Sequence, residues 1–300
     1  MKKIRFQRIL CATDLSEFSN RAVMDAADMA RRLDATLCVC HVVNLPVVSM
    51  HGTPLVYPDS QVQEMEAMAR EEIRSLMKNT SVPWEAVVET GPVSATLCRL
   101  AAEHEVDLAI VSTRAYTGIK RLFLGSVTER LLRTITCPLL VVTPPEAEKA
   151  GTPCQGFCFQ QIMVGCDFSD DSKNAVDYGF TFARMGETDL HLVHVVEPPP
   201  DLPEAMREGV LESIKNSARK QLQELAPEAE SGPRNQVHLA CEMGKPFEAL
   251  TAYAQAHDVD LIVLGVRGHG LVESMMLGAT TDRVIRSVSC PVLSVYPMAG

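Results

Sequence analysis

The chain repeats itself at one fixed offset. Ala12-Thr13-Asp14-Leu15-Ser16 returns as Gly165-Cys166-Asp167-Phe168-Ser169, and His41-Val42-Val43 returns as His194-Val195-Val196. His104-Glu105-Val106-Asp107-Leu108 reappears as His257-Asp258-Val259-Asp260-Leu261, Leu124-Gly125 as Leu277-Gly278, and Cys137-Pro138 as Cys290-Pro291. Every pair is separated by 153 positions. Anchors spread over a whole unit without drift in register identify a tandem duplication, and a duplicated unit must fold by a rule that works twice. The 300 residues divide accordingly into a first domain at 1–143, a linker at 144–159 and a second domain at 160–300. Thr143-Pro144-Pro145-Glu146 stops the last strand of the first unit, and Gly151, Pro153 and Gly156 keep the join between Val142 and Gln161 irregular.

Inside a unit, short apolar runs alternate with helical stripes. Arg8 to Thr13 reads as a buried strand, followed by capping chemistry at Ser16-Glu17-Phe18-Ser19. Ala22, Ala26, Met29, Ala30 and Leu33 then share one helical face. Leu37 to Val43 is apolar except at His41, as a strand covered on both faces should be. Helices are predicted over Gln61 to Met77, Ser94 to Glu103 and Ser126 to Arg133. Strands are predicted over Glu85 to Glu89, Leu108 to Thr113 and Pro138 to Val142. Strand–helix alternation implies right-handed βαβ units on a parallel sheet. The fold class is therefore α/β, with two open five-stranded parallel-sheet sandwiches in tandem.

In such sheets a ligand crevice lies outside the carboxyl ends of the strands, where strand order reverses. Asp14 and Asp167 follow the first strand of each unit. A carboxylate there either accepts from a ribose hydroxyl or caps the turn into the next helix. After the fourth strand of the second unit stands a loop carrying Gly265, Arg267, Gly268, Gly270 and Gly278. Glycines admit close approach of backbone amides to a phosphate, and a helix beginning at Ala279 would direct its amino-terminal dipole there. No Gly-Lys-Ser/Thr of a Walker A loop occurs, and no G-x-G-x-x-G follows the first strand.

The opening Ala-Thr-Asp-x-Ser, the His-Val-Val closing strand two, the G-x2-G-x9-G loop at Gly265, Gly268 and Gly278, and the closing Cys-Pro-x-Leu-x-Val together resemble the universal stress protein (UspA-type) family. The resemblance covers nearly the whole chain, as a tandem two-domain member with a Rossmann-like, adenine nucleotide α-hydrolase-like fold. It implies an adenine nucleotide (ATP, or AMP or ADP), with Mg²⁺ as a possible companion. Asp167 would lie at the ribose, Val195 at adenine, and Leu264, Gly265, Arg267, Gly268, Gly278, Ala279, Thr280 and Thr281 around the phosphates. The matching positions of the first unit are Asp14, Val42, Arg114, Gly125 and Ser126. Ala279 replaces the usual hydroxyl residue after the last glycine, leaving Thr280 or Thr281 to substitute. Ser112 and Ala115 replace the first two glycines in the first unit, so nucleotide is expected mainly in the second. The implied role is a stress-response or signalling regulator, with at most slow ATP hydrolysis because no base is evident to orient a water. The alternative is a structural or regulatory UspA-like module without nucleotide. An adenylating or pyrophosphate-cleaving enzyme of the wider α-hydrolase group is disfavoured, since no SGGxDS-type loop follows strand one.

Composition narrows partners and place. Net charge is −10, from 28 Lys+Arg against 38 Asp+Glu, which argues against nucleic acid or an anionic membrane. Neither a signal peptide nor a membrane span is evident, so a cytoplasmic location is expected. Of the ten cysteines, Cys11, Cys38, Cys40, Cys166 and Cys290 lie in or beside strand-like runs as small hydrophobes. Cys154 and Cys158 read as linker thiols rather than as a redox or metal site. His41 and His194 read as hydrogen-bonded, partly buried histidines; His191 and His194 should face opposite sides of their strand. His269 is an exposed or phosphate-touching loop residue. Met65, Met68 and Met77 read as a packing face, and Trp84 as a packing residue opening strand three. No catalytic triad and no metal site is indicated. The two units are expected to pair through their last strands, Pro138 to Val142 and Pro291 to Tyr296, as an intramolecular pseudo-dimer that can dimerise further.

Overall fold

The structure, a computed structural model, describes residues 4–45, 49–50, 53–54, 57–113, 124–143, 157–198, 204–226, 236–266 and 278–296. The first half runs β1 (Arg8–Ala12), α1 (Glu17–Leu33), β2 (Thr36–Val43), β3 (Ser49–Met50), β4 (Thr53–Pro54), α2 (Asp59–Met77), β5 (Trp84–Thr90), α3 (Val93–Glu103), β6 (Leu108–Ser112), α4 (Ser126–Thr134) and β7 (Leu139–Val142). The second runs β8 (Gln161–Gly165), α5 (Asp170–Ala183), β9 (Asp189–Val196), α6 (Glu204–Leu225), β10 (Val237–Met243), α7 (Pro246–Ala256), β11 (Leu261–Gly265), α8 (Ala279–Ile285) and β12 (Val292–Val295). Apart from the short antiparallel β3–β4 ladder, each half is the expected alternation. That ladder falls within the proline-bearing stretch after β2, where two-residue strands are too short to leave a period-two signal.

The strands form one sheet in the order β10-β9-β8-β11-β12-β7-β6-β1-β2-β5. Every pairing of this sheet within a half is parallel. The seam between halves is the antiparallel pair β7–β12, with Leu140 opposite Leu293, Val141 opposite Val292 and Leu139 opposite Ser294. Leu140 and Leu293 are repeat counterparts, so a local two-fold axis passes between them. Two apolar layers cover the two faces, and both run through the seam. One contains Ile9, Val39, Leu140, Ile162 and Leu293; the other contains Leu10, Leu139, Val141, Met163 and Val292. Strands buried on both faces are why the sequence reads as continuous apolar runs.

Local signals account for some helix ends. The Ser16 side chain accepts from the Ser19 amide to cap α1, and Ser169 does the same for α5 through Ser172. Asp34 ends α1 in the left-handed region. Trp84 packs against the core at the start of β5, as expected. The methionine reading needs correction. Helix α2 buries Ala69, Ile73 and Met77, one residue per turn, whereas Met65 is 38% and Met68 68% exposed. A methionine off the narrow buried stripe of a surface helix simply meets solvent. The join also differs from a bare linker at its end: Phe157 is buried, stacks on Phe159, and Phe159 meets Phe182 edge-on. Residues 144–156, with Cys154, lie outside the described residues. Cys158 Sγ accepts from Arg32 at 2.8 Å. Among the described residues no helix is long and apolar enough to cross a membrane.

Candidate functional site

Each half reverses strand order between its first and fourth α/β strands: β1 lies beside β6, and β8 beside β11. The chain leaves the first of these toward one edge and returns to the second on the other side. Two turns therefore diverge at the carboxyl end of the sheet and leave a crevice between them.

On one side of the crevice stand Asp14 and Asp167. Asp14 Oδ1 accepts from the Ser16 amide at 3.1 Å and the Ser19 hydroxyl at 2.7 Å. Asp167 Oδ1 accepts from the Ser169 amide at 3.0 Å and from the Ser169 hydroxyl. The turn-capping role is thus realised in both halves. Between each Asp and Ser, the backbone enters the left-handed region, at φ 64° for Leu15 and 66° for Phe168. Side-chain-bearing residues there cost about 1–2 kcal/mol, so the capping bonds hold a strained tip at the same place twice. A second repeated lock lies behind it. His41 Nδ1–H donates to the Thr13 carbonyl at 2.9 Å, and His194 Nδ1–H to the Cys166 carbonyl at 2.7 Å. The strand-two histidines therefore tie strand two to the end of strand one. Val42 is buried and Val195 half-buried just beyond them.

The other side of the second crevice is built from β11 and α8. Leu264 is buried. A Cβ on Gly265 would stand 2.9 Å from the Asp171 carbonyl carbon and 3.1 Å from its oxygen. Glycine is required there because the first turn of α5 presses on the strand tip, not because of a left-handed φ. The Gly278 amide donates to the Val266 carbonyl at 2.8 Å, pinning the two ends of the intervening loop together. Gly278 is also the N-cap of α8, which has no side-chain cap. Of the two threonines expected to replace the missing hydroxyl, Thr281 is engaged within the protein. Its hydroxyl is buried and donates to the Gly265 carbonyl at 2.9 Å. Ala279 is exposed and Thr280 half-buried at the first turn. In the first half Ser112 holds the position of Gly265, and Gly125 caps α4, with open space where its Cβ would be. Ser126 is exposed. Arg114, Ala115, Arg267, Gly268 and His269 lie outside the described residues.

The structure thus gathers Asp167, Val195, Leu264, Gly265, Gly278, Ala279, Thr280 and Thr281 at one end of the second half. It places Asp14, Val42, Gly125 and Ser126 at the matching end of the first. Sequence reasoning missed the left-handed Leu15 and Phe168 and the packing role of Gly265. The repeated His was visible, but not the carbonyl it serves.

At the opposite, amino-terminal end of the second half lies a cavity of about 570 Å³, lined by Gln160, Gln161, His191, His238, Tyr253, His257, Asp258 and Asp260. His191 holds Tyr253 Oη at 2.9 Å and Gln161 Oε1 at 2.8 Å, and stacks on His238. Its partners lie on the face opposite to that of His194, as the strand period requires. Burial, with His238 and His257 adding to it, pushes His191 down to about 4. Asp260 accepts the amides of Gln160 and Gln161, yet burial pushes it up to about 6.

The family model for the universal stress proteins matches residues 5–143 and again residues 159–295. The chain belongs to the universal stress protein family. A universal stress protein of Mycolicibacterium smegmatis is 27% identical over 304 residues, covering 96% of this chain and 97% of that one. A shorter universal stress protein of Thermus aquaticus is 36% identical over 138 residues, 46% of this chain and 98% of its own. Among solved structures, a universal stress protein of Archaeoglobus fulgidus superposes with a TM-score of 0.69 at 23% identity, covering 97% of this chain and 98% of that chain. The architecture is that of tandem Rossmann-like universal stress protein domains.

Proposed function

We propose that this universal stress protein binds an adenine nucleotide in the second half and acts as a stress-response regulator, with the first domain (1–143) a degenerate copy joined through residues 144–159 to the binding domain (160–300). The observation that carries the reading is the start of α8. A glycine-capped helix with no side-chain cap opens where strand order reverses, and its first-turn amides have no partner within the helix. Phosphates would meet the amides of Ala279 and Thr280, with Arg267 and Gly268 supplied by the loop. Ribose would meet Asp167, and adenine the backbone near Val195. These donors fit ATP, ADP or AMP. Mg²⁺ would travel with the phosphates, and no side chain is assigned to it. The reading is a sensor without rapid turnover. A second reading, a module without nucleotide, draws on two facts: the Thr281 hydroxyl and the Gly278 amide are both engaged internally.

The test is a charge placed where a helix tolerates it and a phosphate does not. Ala279→Glu puts an acidic group in the first turn of α8, which is neutral to slightly favourable for the helix. Nucleotide released by heating the purified full chain should be near one equivalent in the parent, and at least about tenfold lower in the variant, with unchanged melting. Ser126→Glu should leave the amount unchanged. Parent protein that neither carries nor takes up adenine nucleotide would favour the second reading.

A further inference from the structure

The duplication places a counterpart of the histidine cavity in the first half, and there the side chains change. His191, His238 and His257 correspond, 153 positions earlier, to Cys38, Glu85 and His104. The frameworks agree: His238 pairs directly with His191 across β9–β10, and Glu85 with Cys38 across β2–β5. His104 and His257 are the C-cap residues of α3 and α7. All six side chains are metal-ligating types, and in the first-half triad the ligand atoms converge. His191 has both ring nitrogens engaged, by Tyr253 and Gln161. In the first half those two positions are Leu100 and Arg8, and Leu100 offers no competing group.

Cys38 Sγ, a Glu85 carboxylate oxygen and a His104 ring nitrogen lie within 4.8 Å of one another, with His104 Nδ1 3.3 Å from Glu85 Oε1. Ligand atoms on a tetrahedral ion with bonds of about 2.0–2.3 Å stand roughly 3.3–3.7 Å apart. The His–Glu separation already matches, and the remaining closure falls on flexible side chains. Cys38 is buried, whereas Glu85 and His104 are half-exposed, so the site has a solvent-facing side. The carboxyl end of α3 adds its negative dipole end at His104. Opposing this, Arg8 Nη1 lies 3.3 Å from Glu85 Oε1 and must release it; its half-exposed side chain can do so. Cys40 Sγ lies 3.4 Å from Cys38 Sγ on the same strand face.

We propose that Cys38, Glu85 and His104 form a binding site for a zinc-type divalent cation, at the end of the sheet opposite the nucleotide crevice. The mixed S, O and N set suits Zn²⁺ and disfavours Mg²⁺ or Ca²⁺, which take oxygen donors. On binding, the Cys38 thiol gives its proton to solvent and the thiolate bonds the ion. Three protein ligands leave one coordination position for water.

The experiment uses the full chain, reduced and stripped by dialysis against a chelator. Zn²⁺ titrated against a competing chelator should bind at one equivalent. Co²⁺ should give a thiolate-to-cobalt charge-transfer band. Cys38→Ser should abolish the band; Glu85→Gln and His104→Ala should each weaken Zn²⁺ affinity at least about tenfold. Cys158→Ser should change nothing. Glu85 and His104 are half-exposed, so those two variants decide the matter even where the buried Cys38→Ser chain fails to fold. Absence of tight Zn²⁺ binding in the parent, or equal affinity in both the Glu85→Gln and His104→Ala chains, overturns the proposal.

Discussion

A carboxylate that accepts two backbone amides ordinarily titrates low, yet Asp260 is raised, because burial outweighs the bonds from Gln160 and Gln161. His191, in the same cavity, is shifted the other way. The two act oppositely on stability as pH changes. Asp260, raised from 3.8 to about 6, contributes stability that is present below 3.8 and lost as pH rises through 6. His191, lowered from 6.5 to about 4, contributes stability that is present above 6.5 and lost as pH falls through 4. Acidification from pH 6.5 to pH 4 therefore sets a gain against a loss. His191→Gln should lose less stability over this range than the parent chain, and Asp260→Asn should lose more. Urea unfolding midpoints at the two pH values measure the difference, with all other titrating groups cancelling against the parent. Shifts of the same sign in both variants would contradict the assignment.

At the scale of elements, the three glycines around the candidate sites behave differently although they look alike in sequence. Gly265→Ala would drive a methyl into the Asp171 backbone and displace α5; a loss of about 2 kcal/mol or more is expected. Gly278→Ala meets the Val266 oxygen at 3.1 Å and the Val266 carbonyl carbon and Thr281 Oγ1 only at 3.9 Å, and Gly125→Ala meets nothing within 4 Å. Both should cost no more than about 1 kcal/mol. Chemical denaturation of the three variants ranks them, and equal losses would refute the packing account. Strand β12 carries a second test. Ser294 is fully buried and its Oγ has no hydrogen-bond partner, whereas its repeat counterpart is Val141. Ser294→Ala should raise unfolding free energy by about 1 kcal/mol, because a desolvated hydroxyl is removed. The same elements show what could be read from sequence. Double-sided burial writes itself as apolar runs, so β1, β2, β6, β7 and their counterparts were legible to within a residue or two. Capping serines marked α1 and α5. The glycine pattern drew attention to the loop after β11 but not to the packing of Gly265 against Asp171, since a close backbone approach from a distant segment leaves no local trace. Leu15 and Phe168 carry no sequence sign of a left-handed φ. Met65 and Met68 were misplaced because apolar spacing alone does not say how wide a helix's buried stripe is.

On the scale of the whole molecule, the seam β7–β12 is a dimer interface built into one chain. Its register is symmetric about Leu140 and Leu293, and both apolar layers continue across it. Each strand exit also reaches into the other half. Thr143 Oγ1 donates to the Ser289 carbonyl at 2.6 Å, and Tyr296 Oη to the Leu132 carbonyl at 2.8 Å. Arg286 meets Glu129 at 3.5 Å, though a half-exposed ion pair adds little. One part of the contact is not symmetric: Phe6 packs on Tyr178 and Phe182 of α5, whose first-half counterparts are Asp25 and Met29. A first half expressed alone, residues 1–143, would present β7 as an unpaired apolar edge. A second copy can satisfy that edge in the same antiparallel register, with Leu140 facing Leu140 and Leu139 facing Val141. That seam would contain valine at the place of Ser294, and would lack the aromatic packing around Phe6. The isolated half should therefore sediment as a homodimer, and Leu140→Lys should make it monomeric by charging the edge. The parent full chain, whose β7 is already covered by β12, should not form this contact between molecules. A monomeric isolated half that keeps its fold would show that the aromatic contacts, not the paired strands, hold the halves together.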